Sequence, residues 1–340
     1  MKKDHGVVVG IDFGTPASGA GYMFAFDDTV RPLQFRSRNN EGSPDPKAPS
    51  VLAYEIDNRG TESNLWGFEA ELMARGVDHW WELQGIMRMP DGKTPVDLIA
   101  DFLGAIGHAL WNDISLSADA ADLELKKESV KWCFTVPTLW GEYAKEQMWD
   151  AITRARFGSR NGDDVWLLTE GEAALIYVLS ESVSQDEEVS LVEKGDGVLI
   201  CDCGGGTVDM VSYQISNDDI WVYDELAYGD EASAAANLNG RINKIILVGG
   251  FSLSPYLYAQ IQEMFGSEHQ IKHVQDPQGA VFRGATLWGK GTMKPRSRVI
   301  RCSYGFRKSL PEGLLKLPLL KAIPDTSLQQ DELEWMLTKG

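Results

Sequence analysis

Gly197-Val-Leu-Ile-Cys-Asp202-Cys-Gly204-Gly205-Gly206-Thr207-Val-Asp209 is the stretch that decides the fold. Its first six residues read as a buried strand ending in a carboxylate. Three glycines in a row are costly in a folded chain unless the backbone needs an unusual φ or a close neighbour. Here they leave main-chain N–H groups open to an anion. Thr207 adds a hydroxyl, and Asp202 can hold Mg2+ directly or through water. The plainer alternative, a flexible surface loop, sits poorly between an apolar strand and Val208-Asp-Met-Val.

The theme recurs near the start. Gly6-Val-Val-Val-Gly10-Ile-Asp12-Phe-Gly14-Thr15 is a strand ending in Asp12, followed by a second glycine and hydroxyl. A phosphate cradle needs those residue types, and so does a plain hairpin turn. Lys244-Ile-Ile-Leu-Val-Gly249-Gly250-Phe251-Ser252 is a third apolar strand. Its paired glycines either admit a flat base or ribose or simply make a tight strand-to-helix turn. Thr169-Glu170-Gly-Glu172-Ala-Ala-Leu-Ile-Tyr177 opens a helix of small residues. Glu170 at that junction either orients water in a cleft or serves the helix dipole. Gly279-Ala-Val-Phe-Arg-Gly284-Ala285 is the matching helix in the second half. The halves share a theme rather than a sequence repeat, which points to a structural duplication with a cleft between the copies.

The chain has 340 residues, enough for two lobes with real cores. With 43% apolar and 24% charged residues, wholesale disorder is excluded. Lys plus Arg is 32 against 50 Asp plus Glu, a net charge of −18 that opposes nucleic acid and anionic membranes as partners. A small anion held by backbone amides and a divalent cation is still allowed. Cys133, Cys201, Cys203 and Cys302 lack zinc spacing and read as buried reduced thiols. The run Val7–Ile11 is too short for a secretory core, and no segment approaches the ~18–20 apolar residues of a membrane span. The expectation is a soluble protein of the cytoplasm, or of the nucleus. The five histidines share no ligand spacing, and Gly-x-Ser-x-Gly and the P-loop pattern are absent.

Between the motifs, residues 37–49 read as a polar Pro-rich loop and 50–56 as a strand. Residues 66–90, with Trp66, Trp80 and Trp81, read as hydrophobic packing. Periodicity predicts helices over 94–111, 141–157, 255–265 and 279–289, and strands over 130–136, 165–168, 208–215 and 220–226. The acidic run 181–196 reads as a linker. Ser327 and Gln330 form a candidate capping box.

Taken in order, these segments resemble the five nucleotide-site segments of the actin/Hsp70/sugar-kinase ATPase superfamily. The nearest likeness is to the divergent Hsp70-like proteins of the Hsp70 member 12 type common in fungi. Phe134-Thr-Val-Pro137-Thr-Leu-Trp, Ala144-Lys145-Glu-Gln-Met and Ser303-Tyr-Gly305-Phe also resemble that group. The resemblance implies a two-lobed α/β fold of the actin-like ATPase type, a duplicated ribonuclease-H-like fold with a reduced second lobe. Its lobes would be residues 1–185, with an upper insertion at 39–96, and residues 186–300, followed by a tail, 301–340. It implies ATP or ADP with Mg2+ as cofactors. Asp12 and Asp202 would flank the metal. Gly14, Thr15, Gly204, Gly205, Gly206 and Thr207 would cradle the phosphates. Glu170, Asp202 and Asp209 would order the attacking water, and Gly249, Gly250 and Phe251 would contact the adenosine. The helices at 170–180 and 279–289 would cross beneath the cleft as its hinge.

Three departures from the resemblance bear on activity. Asp209 and Gly249 are only 40 residues apart, where the relatives carry a helical subdomain of the adenosine pocket. Losing three or four hydrogen bonds of ~1 kcal/mol each weakens binding roughly 10²–10³-fold. The stretch Trp66-Gly67-Phe68-Glu69-Ala70-Glu71 lacks the catalytic lysine that chaperone relatives carry there, which implies slow hydrolysis. After residue 300 there is no room for a peptide-binding domain and lid. The expected function is an Hsp70-like, chaperone-type protein that binds Mg-ATP and hydrolyses it slowly. The alternatives are a non-catalytic scaffold on the same fold and a small-molecule kinase with Asp209 as base. The implied partner is the nucleotide, with protein partners or cochaperones left open.

Overall fold

The computed structural model describes residues 5–35, 45–56, 62–75, 90, 92–121, 124–184, 190–229, 241–291, 294–299, 304–307 and 333–337. The chain divides into two compact units, Met1–Arg296 and Ser297–Gly340. The first unit opens with β1 (Val7–Asp12), β2 (Ala17–Phe24), β3 (Arg31–Pro32), β4 (Lys47–Pro49), β5 (Leu52–Ile56), β6 (Glu62–Trp66) and α1 (Gly67–Arg75). It continues through α2 (Pro95–Ala120), β7 (Val130–Val136), α3 (Glu142–Arg154), β8 (Asp164–Thr169) and α4 (Glu170–Ser184). The second half of the chain adds β9 (Gly197–Cys203), β10 (Val208–Ile215), β11 (Val222–Gly229) and β12 (Lys244–Val248). After these come α5 (Pro255–Phe265), β13 (Gln270–His273), α6 (Ala280–Lys290) and β14 (Lys294–Ser297). In the second unit, β15 (Tyr304–Arg307) and β16 (Leu333–Leu337) form an antiparallel pair.

The two large sheets are built alike. The first has the order β3-β2-β1-β7-β8, with β4 beside β2; the second has β11-β10-β9-β12-β13, with β14 on its edge. In each, three antiparallel strands run as a meander, and two parallel strands join the other side of the first strand. Numbered within its own half, each sheet reads third, second, first, fourth, fifth. This is the duplicated ribonuclease-H-like architecture of the actin-like ATPase fold. The halves differ between their third and fourth strands. The first half places β4, β5, β6, α1 and α2 there, whereas in the second only residues 230–243 separate β11 from β12.

Both central strands are buried on two faces, as parallel-sheet strands must be. In β1, Val7, Val9 and Ile11 enter an outer core with α2 and α3, while Val8 enters an inner core. In β9, Leu199, Cys201 and Cys203 face the side of α5, while Val198 and Ile200 face the inner core. The inner core is filled by α4 (Ala173, Ala174, Val178, Leu179) and α6 (Val281, Ala285). α6 is thus a helix of the second half that covers the first sheet, and Thr286 Oγ1 donates to the Gly21 carbonyl at 3.3 Å.

Several local expectations change. α2 runs to Ala120, beyond the predicted 94–111. Ile114 and Ala118 extend its buried stripe, and Ser115 Oγ donates back to the Trp111 carbonyl at 2.7 Å. The described parts of 181–196 are packed and do not form a linker: α4 continues to Ser184, and Glu181, Ser190, Val192 and Asp196 are buried. Two of the run's described carboxylates have internal partners. Glu181 accepts the Gln275 N–H at 3.1 Å, and Asp196 pairs with Lys244 Nζ at 2.7 Å. The end of the Pro-rich loop is strand β4. Trp80, Trp81, Cys302 and the Ser327–Gln330 box lie outside the described residues; Cys133, Cys201 and Cys203 are buried thiols.

Candidate functional site

Asp12 and Asp202 occupy matching places in the two halves. Each lies at the end of its sheet's first strand, in phase with the inner-core residues Val8 and Ile200. The turns beyond them approach one another. A β-carbon on Gly205 would stand 2.5 Å from Cγ of Pro16, and one on Gly206 would stand 3.7 Å from Cβ of Thr15. The Gly204 N–H donates to the Thr207 carbonyl at 3.0 Å and closes the second turn. Thr15, Gly205, Gly206 and Thr207 are exposed at the rim, and Gly14 is half-buried.

Between the turns lies a cavity of about 860 Å³, large enough for a nucleotide-sized ligand. Every residue singled out from the sequence lines it: Asp12, Gly14, Thr15, Glu170, Asp202, Gly204, Gly205, Gly206, Thr207, Asp209, Gly249, Gly250 and Phe251. The end of β12 forms one wall. Gly249 has φ +82°, and a β-carbon there would collide with Asp202 Oδ1 and the Cys203 main chain. Its N–H donates to the Pro277 carbonyl at 2.8 Å. Phe251, on the 3-10 turn that follows, is 52% exposed.

The cavity floor is crowded with carboxylates. Asp209 faces Asp202 in the β9–β10 register, and Glu170 opens α4. Burial, then the charges of Asp12, Asp202 and Asp209, push the Glu170 carboxyl well above its usual range. Burial pushes Asp202 up to about 7, against the pull of the Lys47 charge. Burial also raises Asp209, opposed by its hydrogen bond with Glu170. Asp12 Oδ1 accepts Thr135 Oγ1 at 3.2 Å, and Asp12 Oδ2 accepts Lys47 Nζ at 2.6 Å. Burial works against the Lys47 charge, but Asp12, Asp202 and Glu170 outweigh it and hold its pKa above the ordinary lysine value.

Among the described residues, no three His, Cys, Asp or Glu side chains converge to hold a metal ion by themselves. The donor set fits a hydrated magnesium shared with phosphates: two strand-end carboxylates, open main-chain turns and a floor short of positive charge. Lys47, Asp45, Phe68, Glu71, Trp140 and Gln278 also line the cavity, and the sequence reading did not name them as site residues. The segment 66–71 supplies Phe68 and Glu71 to the wall and no lysine, yet the cleft does hold a lysine, from β4. The visible signal was Lys47-Ala-Pro49-Ser just ahead of a strand, hidden in a proline-rich stretch.

No protein-family model matches the chain. Among curated proteins it is similar to Heat shock 70 kDa protein 12A of Homo sapiens and of Mus musculus, each 22% identical over 275 residues. It is also similar to Heat shock 70 kDa protein 12B of Homo sapiens, 25% identical over 274 residues. Each match takes in 62% of this chain and 40% of the relative, so the chain spans less than half the length of the curated relatives it matches. Since 62% of a 340-residue chain is fewer than 275 residues, the relatives carry residues inside the matched stretch that this chain lacks. The similarities support an Hsp70-like relationship at the level of the actin-type ATPase superfamily. No helix among the described residues is long and apolar enough to cross a membrane.

Proposed function

We propose that the cleft binds a magnesium nucleotide between two lobes, residues 1–185 and 186–300, and turns ATP over slowly. The observation that carries the reading is convergence. Five segments far apart in the chain meet at one cavity, and they bring two strand-end carboxylates, two glycine-threonine turns and the paired glycines that follow β12. Asp12 and Asp202 hold the metal shell, mostly through water. Gly14, Thr15, Gly204, Gly205, Gly206 and Thr207 donate to the phosphates, as open main-chain turns do. Gly249, Gly250 and Phe251 take the adenosine. When bound, the cation supplies the positive charge that the carboxylate floor lacks. Glu170, Asp202 and Asp209 orient a water toward the last phosphate, with Glu170 held by its hydrogen bond to Asp209.

A second reading, a non-catalytic binding or scaffold protein, is favoured by the single short connection 230–243 between β11 and β12. Calorimetric titration of Mg-ATP into the protein, beside Asp202→Ala and Gly205→Glu, tests the first reading. Saturable binding in the wild type, lost in both folded variants, is the expected result. Binding without single-turnover hydrolysis leaves the second reading. No binding at millimolar Mg-ATP in a cooperatively folded sample would overturn the nucleotide reading.

A further inference from the structure

We propose that Lys47 is the residue that contacts the terminal phosphate in this cleft, delivered by β4 instead of by the segment 66–71. The inference rests on the nucleotide reading above. Lys47 is the one cationic side chain among the described residues that line the cavity, against Asp12, Asp45, Glu71, Glu170, Asp202 and Asp209. A triphosphate entering such a floor meets strong repulsion unless positive charge is placed within reach of it.

The position of Lys47 is built, not incidental. β4 pairs with the start of β2, placing Lys47 opposite Gly19 and Pro49 opposite Ala17. The Lys47 N–H donates to Asp45 Oδ1 at 2.9 Å, which fixes the entry to the strand. The ammonium therefore hangs on a paired strand beside the first phosphate-facing turn. Both side chains line the cavity, that of Lys47 20% exposed and that of Asp12 5% exposed, and their ion pair stands in the cleft itself. The proposed adenosine contacts, Gly249 to Phe251, lie beyond the end of β12 in the second sheet. A nucleotide based there runs its phosphate chain toward the first sheet and ends near Lys47. Exchanging Asp12 Oδ2 for a phosphate oxygen breaks one charge-assisted hydrogen bond and makes another, and no proton has to move. The flexible lysine stem suits such an exchange better than a planar guanidinium would.

The test compares affinities for ADP and ATPγS by calorimetry in wild type, Lys47→Gln and Lys47→Arg. The wild type is expected to prefer ATPγS. Lys47→Gln should lose roughly tenfold of that preference, with ADP affinity held within about threefold. Lys47→Arg should keep most of the preference. An unchanged preference in Lys47→Gln, an equal loss for both ligands, or a wild type without preference each overturns the proposal. If Lys47→Gln does not fold, reductive methylation of the wild type replaces it. ATPγS should protect Lys47 more than ADP does, and equal protection overturns the proposal. A wild type that binds neither ligand overturns the nucleotide reading itself, and that result is seen without any variant.

Discussion

Gly284 of α6 stands against the main-chain carbonyl of Ala173 in α4, with no room for a side chain between them. The helices that fill the inner core therefore cross at backbone contact. A methyl group at position 284 must push them apart, and both sheets pack against these helices. Gly284→Ala should cost at least about 2 kcal/mol, at the upper part of the usual range for overpacking. Urea unfolding measures it, and an unchanged midpoint would show that the helices are not in backbone contact.

Gly249 and Gly250 are neighbours in sequence with opposite expected tolerance. Gly249 has φ +82° and faces Asp202, whereas a β-carbon on Gly250 would stand 3.7 Å from Gln278, an ordinary contact. Gly249→Ala should lose about 1–3 kcal/mol of stability and weaken nucleotide binding. Gly250→Ala should stay within about 0.5 kcal/mol of the wild type. Thermal melts of the pair decide it; equal losses would remove the special role of Gly249.

The raised Asp202 carboxyl sets a pH dependence for the ligand-free protein. Its folded pKa is about 7 against 3.8 for the unfolded chain, so between those values the folded state holds a proton that the unfolded state has released. Stability from this group is therefore fullest below pH 4 and falls as pH rises toward 7, by at most about 1.4 kcal/mol per unit. Glu170, also raised, acts in the same direction. Paired carboxylates such as Asp27 act in the opposite direction, so the comparison is with Asp202→Asn. The variant should gain stability relative to wild type as pH goes from 4 to 7. A constant difference across that range would contradict the burial of this carboxylate.

Thr94 and Asp97 form a reciprocal capping box at the start of α2, with Thr94 N–H donating to Asp97 Oδ2 at 2.8 Å. Thr94→Ala should cost about 1 kcal/mol, with nucleotide affinity unchanged. Urea unfolding with a parallel titration checks this. It is the control that separates general destabilisation from effects on the cleft, and a loss of binding here would blur that separation.

The cleft was legible where a strand announces its own end. Asp12 and Asp202 each follow an apolar run that only a buried strand explains, and the glycines after them leave few conformational alternatives. Helix α5 is legible to the residue because Ser254 and Pro255 open it and Gly266 closes it. Lys47 was not legible. A three-residue edge strand has too little pattern to show a period, and Pro49 with the prolines just before it signals a loop. The acidic run after Ser180 misled for a different reason. Charge in a sequence suggests solvent, and only the folded chain reveals that Glu181 caps the Gln275 N–H and Asp196 holds Lys244.

That α6 covers the inner face of β1 has a consequence in time. The strand begins at Val7, and the helix that shelters Val8 begins at Ala280. A ribosome adding about 5–20 residues per second leaves that face bare for tens of seconds. The outer core of the first half closes on residues of that half, whereas its inner face waits for α6. Until translation passes residue 290, the nascent chain itself offers the kind of uncovered apolar strand that holdases recognise.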